Sequence, residues 1–218
     1  MPISKVYEPV PGVRVALWHL VEDEATLYAL FPPESRCLGD EALTGVAHAT
    51  RRCERLAARL SLLRLGVAEK VYYTPQGRPE ISDETAHISI SHTREWVAVA
   101  LSSRSVGIDI ERWSERPLRA ATRFLSEDER AWVSATDAPA DAATLLWSAK
   151  ESIYKVMGAE GVDFSRHLRV EPFAYEHTSA CRRFEAEESF SGTNGRFALY
   201  YGCFPDFVLT LALEGVAE

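Results

Sequence analysis

The chain has 218 residues, a hydrophobic fraction of 46% and a formal net charge of -8 at pH 7. This length and composition suffice for one large or two small domains with a packed core. The net negative charge argues against general nucleic-acid binding, because neutralising phosphates requires clustered lysine and arginine. The sequence shows neither a secretory leader nor an apolar stretch of membrane-spanning length, so we expect a cytoplasmic protein without a membrane partner. The four cysteines lack the spacing of a zinc site or a disulfide framework.

The first half of the chain combines one helix with short strands. Residues 50–65 have apolar side chains at helical spacing, and Arg51, Arg52, Arg55 and Arg59 are on the remaining surface. These arginines either make the helix soluble or bind an anionic ligand, and the pattern alone does not separate the two. After a turn at 75–79, residues 87–91, 96–102 and 106–111 predict three adjacent strands.

The second half follows the same order of a long helix and then strands. Ser126 and Glu129 form a capping-box pattern that predicts a helix ending near Ala135. A longer helix is predicted from Ala142 to Met157, with Gly158 as its C-terminal cap, and residues 196–204 and 207–213 predict strands. The sequence therefore predicts an α+β protein made of two similar halves, residues 1–113 and 114–218, which we expect to pack tightly.

Two carboxylates alternate with isoleucines in the strand 106-VGIDIERW-113. Because successive side chains on a strand point to opposite faces, Ile108 and Ile110 can enter a core while Asp109 and Glu111 share the other face. Two neighbouring carboxylates repel each other unless a cation lies between them, and a hard divalent cation suits oxygen ligands. An ordinary solvated edge strand would show the same alternation.

The long helix of the second half presents a third carboxylate. Trp147, Glu151 and Lys155 recur every four residues and should lie along one helix face. Glu151 could join the Asp109 and Glu111 pair at a metal-and-phosphate site, although a surface ion pair between Glu151 and Lys155 would have the same spacing.

Four motifs together resemble those of a known family. They are 77-GRP-79, 88-ISISHT-93, 107-GIDIE-111 and 147-WSAKESIYK-155, and they occur in the order and approximate spacing found in the 4′-phosphopantetheinyl transferases, specifically the longer, Sfp-type branch. The resemblance is clear from about residue 51 to residue 168. It implies an α+β pseudo-dimeric fold with the site at the interface between the two halves, and a chain that acts as a monomer.

The resemblance also implies the reaction and its metal. The family moves the phosphopantetheine arm of coenzyme A to a serine of an apo acyl or peptidyl carrier protein and releases adenosine 3′,5′-bisphosphate. By resemblance, Asp109, Glu111 and Glu151 are ligands of Mg²⁺, and Lys155 pairs with the pyrophosphate, which Lys150 reaches from the flank. The serine proton passes to Glu151 or to a metal-activated water, and the sequence leaves both open.

The same resemblance places further residues on coenzyme A. Ser91 and His92 are expected to contact its 3′-phosphate, and Arg78 adds a donor to the same group. Arg51 and Arg59 match the arginine-bearing helix of the family. Carrier proteins are acidic beside their serine, so an acidic enzyme needs a local docking surface. The candidates are Arg112, Arg116, Arg119 and Arg123.

Two other functions compete with the transferase. A metal-dependent nuclease also uses carboxylates with a nearby lysine, but the net acidity of the chain argues against it. A coenzyme A binding module without activity would not require all three candidate metal ligands.

Overall fold

The structure, a computed structural model, describes residues 3–192 and 194–215 of the chain. Residues 1, 2, 193 and 216–218 belong to the predicted halves but lie outside the described residues. The chain divides into two compact units, Met1–Arg104 and Ser105–Glu218. None of the helices in the described ranges has both the length and the apolar character needed to cross a membrane.

The first unit is an antiparallel sheet with helices on it. The elements are β1 (Ile3–Val10), β2 (Val13–His19), α1 (Glu24–Ala29), a 3-10 turn (Pro33–Ser35), α2 (Arg36–Leu43), α3 (Ala49–Arg64), β3 (Tyr72–Tyr73), β4 (Pro79–Glu80), β5 (His87–Thr93) and β6 (Trp96–Ser102). The sheet has the strand order β1-β2-β6-β5, and β3 and β4 form a separate hairpin. Helix α3 packs on β2 and β6 through an apolar stripe that includes Leu56 and Leu60, as its periodicity predicts.

The second unit has its own antiparallel sheet. Its elements are β7 (Val106–Arg112), α4 (Arg116–Arg119), a 3-10 turn (Ala121–Arg123), α5 (Glu127–Ser134), α6 (Pro139–Met157), α7 (Phe164–His167), β8 (Leu168–Val170), β9 (Arg182–Glu188), β10 (Arg196–Cys203) and β11 (Phe207–Glu214). The strand order in the sheet is β7-β11-β10-β9-β8. Helix α6 packs against β7 and β11. Its buried stripe includes Leu146, Ala149, Ile153 and Val156.

Helix α6 lies unusually close to β7 at Gly107. A Cβ atom added to this glycine would stand 1.9 Å from the carbonyl oxygen of Ser152, in the middle of α6. Only a residue without a side chain allows this approach. The glycine of the GIDIE motif therefore sets the distance between the strand and the helix that carry the predicted site.

The α+β class is confirmed, and so are the long helices and the five predicted strands. The capping box at Ser126 and Glu129 is present, and Gly158 caps α6 in the left-handed conformation with φ of 57°. Helix α6 begins three residues earlier than predicted because Pro139 occupies its first position, where a missing N–H is no loss.

One prediction about the sheets is wrong. Residues 106–111 were expected to lie beside the strands at 87–91 and 96–102, but β7 pairs with β11, with Asp109 opposite Thr210. The GIDIE strand consequently belongs to the second unit. The structure divides the chain after Arg104 instead of after Trp113. The packing of the two halves as a pseudo-dimer stays a prediction.

Candidate active site

Asp109 and Glu111 lie on the face of β7 that α6 covers. The alternation of the strand puts both carboxylates on this face, while Ile108 and Ile110 are buried on the other. Asp109 is only 4% exposed, so β7 is not the ordinary solvated edge strand that the alternation also allowed. The cause is the close approach of α6 at Gly107.

Lys155 connects α6 to this strand. Its Nζ donates to the carbonyl oxygen of Ile108 and to Oδ1 of Asp109, both at 2.8 Å. Glu151 precedes Lys155 by about one helical turn and therefore lies on the same helix face. The structure thus brings Asp109, Glu151 and Lys155 into one patch, as the motif spacing predicts.

The carboxylates of the patch interact electrostatically. Burial, followed by the negative charge of Asp109, raises the pKa of Glu151 to about 7, with Glu111 adding to the shift and Lys155 opposing it. Burial and Asp109 also raise the pKa of Glu111. The patch therefore concentrates more negative charge than one lysine balances, and it favours the approach of a further cation.

Trp147 holds the carboxylate of Glu111 in place. Its indole Nε1 donates to Oε1 of Glu111 at 2.9 Å. The sequence placed Trp147 on the face of Glu151 and Lys155 but gave it no partner. Its spacing of four residues from Glu151 was the signal that it also faces β7.

A cavity of about 850 Å³ opens beside Glu111 and Trp147. The rings of Phe124 and Phe164 form part of its wall and contact the Trp147 indole, with centroids 5.1 Å and 5.7 Å away. Other lining residues include Arg112, Arg116 and Arg123. The cavity therefore combines an apolar wall with positive charge, which suits an amphipathic, acidic ligand.

The three predicted metal ligands fit Mg²⁺ by their chemistry, because carboxylate oxygens are the donors that this ion prefers. Burial, and after it the negative charge of Asp109, raises the pKa values of Glu111 and Glu151, and a bound cation would relieve that repulsion. In the ranges that the structure describes, however, no three His, Cys, Asp or Glu side chains are gathered closely enough to hold a metal. The cation beside Asp109 here is the Lys155 ammonium.

Lys150 does not face the patch. Its side chain is 0% exposed, and its Nζ donates to Glu129 and to three backbone carbonyls inside the unit. This contradicts the expectation that Lys150 reaches a pyrophosphate. Lys150 points away from the patch because it is turned by about 100° around the helix axis from Glu151.

In the first unit, Arg51 and His92 meet next to a carboxylate that the sequence did not single out. Nη1 of Arg51 contacts Nε2 of His92, and both side chains lie 3.4 Å from Glu54. Glu54 is on the same helix as Arg51, three residues later, which is the spacing of a helical ion pair. An anion at this position would meet the Arg51 guanidinium and an imidazole that is already in contact with it.

The predicted basic face of α3 is mostly neutralised. Arg59 is 5% exposed and donates to Glu41 at 2.6 Å and to the carbonyl of Val71 at 3.3 Å. Arg52 forms two hydrogen bonds of 2.6 Å with Glu24. These bonds contradict the expected contact of Arg59 with coenzyme A, because its guanidinium is buried and already paired.

Ser91 and Arg78 are the other two residues that were predicted to contact the 3′-phosphate of coenzyme A. Ser91 is buried in β5, one residue before His92. Arg78 is at the end of the β3–β4 hairpin turn, immediately before β4; it is half-exposed and donates to Glu80 at 2.7 Å. The described contacts do not join Arg78 to the pair of Arg51 and His92.

Comparison with known proteins supports the motifs. The chain matches the 4′-phosphopantetheinyl transferase superfamily over residues 105–211, which covers β7 through most of β11. It is 39% identical over 84 residues to the 4′-phosphopantetheinyl transferase gsp of Aneurinibacillus migulanus, across 38% of this chain and 35% of that protein. It is 41% identical over 85 residues to the 4′-phosphopantetheinyl transferase Sfp of Bacillus subtilis, across 38% of each chain.

A longer alignment joins the chain to a putative 4′-phosphopantetheinyl transferase of Haemophilus influenzae, 32% identical over 120 residues, across 49% of this chain and 51% of that one. The matched segments thus span between about a third and a half of the lengths of these relatives. The motif strand, the motif helix and these similarities agree, and residues 105–211 of the chain belong to the 4′-phosphopantetheinyl transferase superfamily.

Proposed function

We propose that this protein transfers 4′-phosphopantetheine from coenzyme A to a serine of an apo acyl or peptidyl carrier protein. The serine Oγ attacks the pyrophosphate phosphorus that bears the pantetheine arm. A new P–O bond to serine forms while the bond from that phosphorus to the bridging oxygen breaks. Adenosine 3′,5′-bisphosphate leaves with the bridging oxygen, and the serine proton passes to a base. The cytoplasm is the compartment that we assign to this reaction.

The observation that carries the proposal is the convergence of Asp109, Glu111, Glu151 and Lys155 between β7 and α6. Phosphoryl transfer depends on positioning and on neutralising charge at the reacting oxygens. A lysine held among carboxylates from two packed elements provides a fixed place for such charges. The match to the superfamily covers these same elements.

We propose that Asp109, Glu111 and Glu151 hold Mg²⁺. When bound, this ion would neutralise negative charge on the pyrophosphate and on the leaving group. Two other side chains position these ligands. Trp147 orients Glu111 through its indole N–H, and Lys155 keeps Asp109 in place.

Glu151 is the proton acceptor that we assign to the serine hydroxyl. In the metal-free protein the pKa of Glu151 is about 7, near the working pH at which a general base is effective, and a bound cation would lower that pKa. Lys155 uses two of its three N–H groups on Ile108 and Asp109. We assign the third to an oxygen of the leaving phosphate.

His92 and Arg51 are proposed to bind the 3′-phosphate of coenzyme A. They already touch each other, and the phosphate would take the place of Glu54 as their anionic partner. Ser91 and Arg78 are proposed to add hydrogen bonds. Arg59 is left out of this set because it is buried against Glu41.

The acidic carrier protein is proposed to dock at the cavity beside Glu111. Arg112, Arg116 and Arg123 line that cavity, and an acidic partner would meet them in spite of the net charge of -8. The apolar wall around Phe124 and Trp147 would receive an apolar side chain of the partner.

The test is intact-mass analysis of a small apo acyl carrier protein and an apo peptidyl carrier domain after incubation with the enzyme, coenzyme A and Mg²⁺. We expect a mass gain equal to one phosphopantetheine, prevented by EDTA and absent from a carrier whose acceptor serine is replaced by alanine. No gain on either carrier, from protein that is folded by circular dichroism, would contradict the proposal.

A further inference from the structure

Lys150 is a buried cation that the proposed chemistry does not use. Its Nζ lies 2.7 Å from Oε2 of Glu129 and donates to the carbonyl oxygens of Leu168 at 2.7 Å, Phe124 at 2.9 Å and Phe164 at 3.0 Å. An ammonium has three N–H groups, so four acceptors share three donors. All three N–H groups of Lys150 are therefore used in hydrogen bonds within the second unit.

Glu129 extends this connection to two further elements. Its Oε2 also accepts from the backbone N–H of Ser126 at the start of α5, and its Oε1 accepts from the N–H of Val170 in β8, at 2.7 Å and 2.8 Å. Burial lowers the pKa of Lys150, and the neighbouring carboxylate of Glu129 opposes that shift. The pair thus links α5, α6 and β8 at one point.

Two of the carbonyls that Lys150 binds belong to residues that line the cavity, Phe124 and Phe164. Phe124 follows the 3-10 turn Ala121–Arg123, and Phe164 opens the four-residue helix α7. Both lie in short or irregular segments, where a carbonyl has no long helix or sheet ladder to hold it. Their rings contact Trp147, which bonds Glu111. One buried ammonium therefore fixes two sides of the cavity next to a predicted metal ligand.

We propose that Lys150 is a positioning residue that fastens the Phe124 and Phe164 walls of this cavity and so keeps it shaped for the acceptor. That the ammonium holds the walls follows from contacts within the second unit. The consequence for catalysis rests on the proposed function, because it requires the carrier to enter the cavity. Removing the ammonium should loosen the walls and weaken use of the carrier more than use of coenzyme A.

The first arm of the test measures hydrogen–deuterium exchange in metal-free protein without substrates. The variant Lys150→Met with Glu129→Gln removes the ammonium without leaving a buried carboxylate unpaired. We expect amides in residues 121–125 and 162–168 to exchange at least ten times faster than in the wild type, with little change in β10 and β11. Unchanged exchange in both segments would overturn the proposal.

A matched variant separates Lys150 from general damage to α6. Ser148→Ala removes a buried hydrogen bond from the same helix, to Thr210, that does not touch the cavity wall. It should keep exchange of the two wall segments within about twofold of the wild type. Equally fast exchange in Ser148→Ala would overturn the assignment to Lys150.

The second arm measures steady-state transfer. The double variant should raise the KM for the apo carrier at least tenfold, while the KM for coenzyme A changes less than threefold. Equal losses with both substrates would mark Lys150 as structural only and overturn the proposal. If wild-type protein transfers nothing, the proposed function fails, and the exchange arm still decides whether Lys150 holds the walls.

Discussion

The substitution Gly107→Ala tests whether the contact between β7 and α6 sets the geometry of the site. The new Cβ would lie 1.9 Å from Ser152 O, whereas ordinary van der Waals contact begins near 3.4 Å. The strand and helix would have to separate locally by about 1.5 Å. Asp109 and Glu151 are on opposite sides of this contact, so their relative position changes by a similar amount.

A misplacement of about 1 Å in a reacting group can lower a rate by about 100-fold. We therefore expect Gly107→Ala to reduce transfer to a carrier by about two orders of magnitude. Overpacking at this contact should also lower the free energy of unfolding by roughly 1–3 kcal/mol. The assay is the initial rate of phosphopantetheine transfer by intact mass, at a temperature where circular dichroism shows the variant folded.

Gly202→Ala is the matched control, because Gly202 is in β10 of the same sheet and its added Cβ would make contacts no closer than 3.5 Å. We expect this control to keep nearly the full rate. A Gly107→Ala variant that also keeps the wild-type rate would refute the reasoning, since the carboxylates would then tolerate a displaced helix.

Three further predictions concern single side chains. Glu151→Gln removes a carboxyl whose pKa rises from 4.5 to about 7 on folding. The fold therefore holds this proton more tightly than the unfolded chain does, and the wild type loses stability as the pH rises from about 4.5 through 7. In EDTA the variant should be more stable by roughly 2 kcal/mol at pH 8, with a smaller difference at pH 5, in denaturant melts; a difference independent of pH would contradict this. Asp109→Ala should lower transfer more than 100-fold and stability by roughly 2 kcal/mol, because the Lys155 ammonium loses its buried carboxylate. Retained transfer in that variant would remove Asp109 from the site. His92→Ala should raise the KM for coenzyme A about tenfold and leave that for 3′-dephospho-coenzyme A nearly unchanged. Equal losses with both donors would speak against a contact with the 3′-phosphate.

The sequence predicted the elements that depend on local pattern. Helix α6 follows from its apolar stripe and from Gly158, and α5 follows from the capping box at Ser126. Strands β6 and β11 follow from short runs of branched apolar residues. In each of these cases the determining residues are neighbours along the chain, within the range that periodicity and capping rules describe.

The partner of β7 could not be predicted in this way. Strand β7 pairs with β11, about 100 residues later in the chain, although β6 is nearer in sequence. Alternation in residues 106–112 states which side chains share a face, and it contains no information on which strand lies alongside. The expected adjacency rested on the short connection between 102 and 106.

The same limit explains why the predicted ligand contacts of Lys150 and Arg59 were wrong. Lys150 and Arg59 were assigned to a ligand because their residue types and motif positions suit phosphate. Their actual partners, Glu129 and Glu41, are 21 and 18 residues away along the chain, and each pair forms only when its own unit folds. A buried charge requires such a partner, but a single sequence does not show which carboxylate provides it.

The most direct test of the central claim is to quantify, in one reaction mixture, phosphopantetheinyl-serine on the carrier and free adenosine 3′,5′-bisphosphate. The account predicts that both products appear in equal amounts, that tandem mass spectrometry places the group on the serine side chain, and that EDTA stops both. Release of the bisphosphate without modification of the carrier would show hydrolysis of coenzyme A instead of transfer, and it would contradict the account.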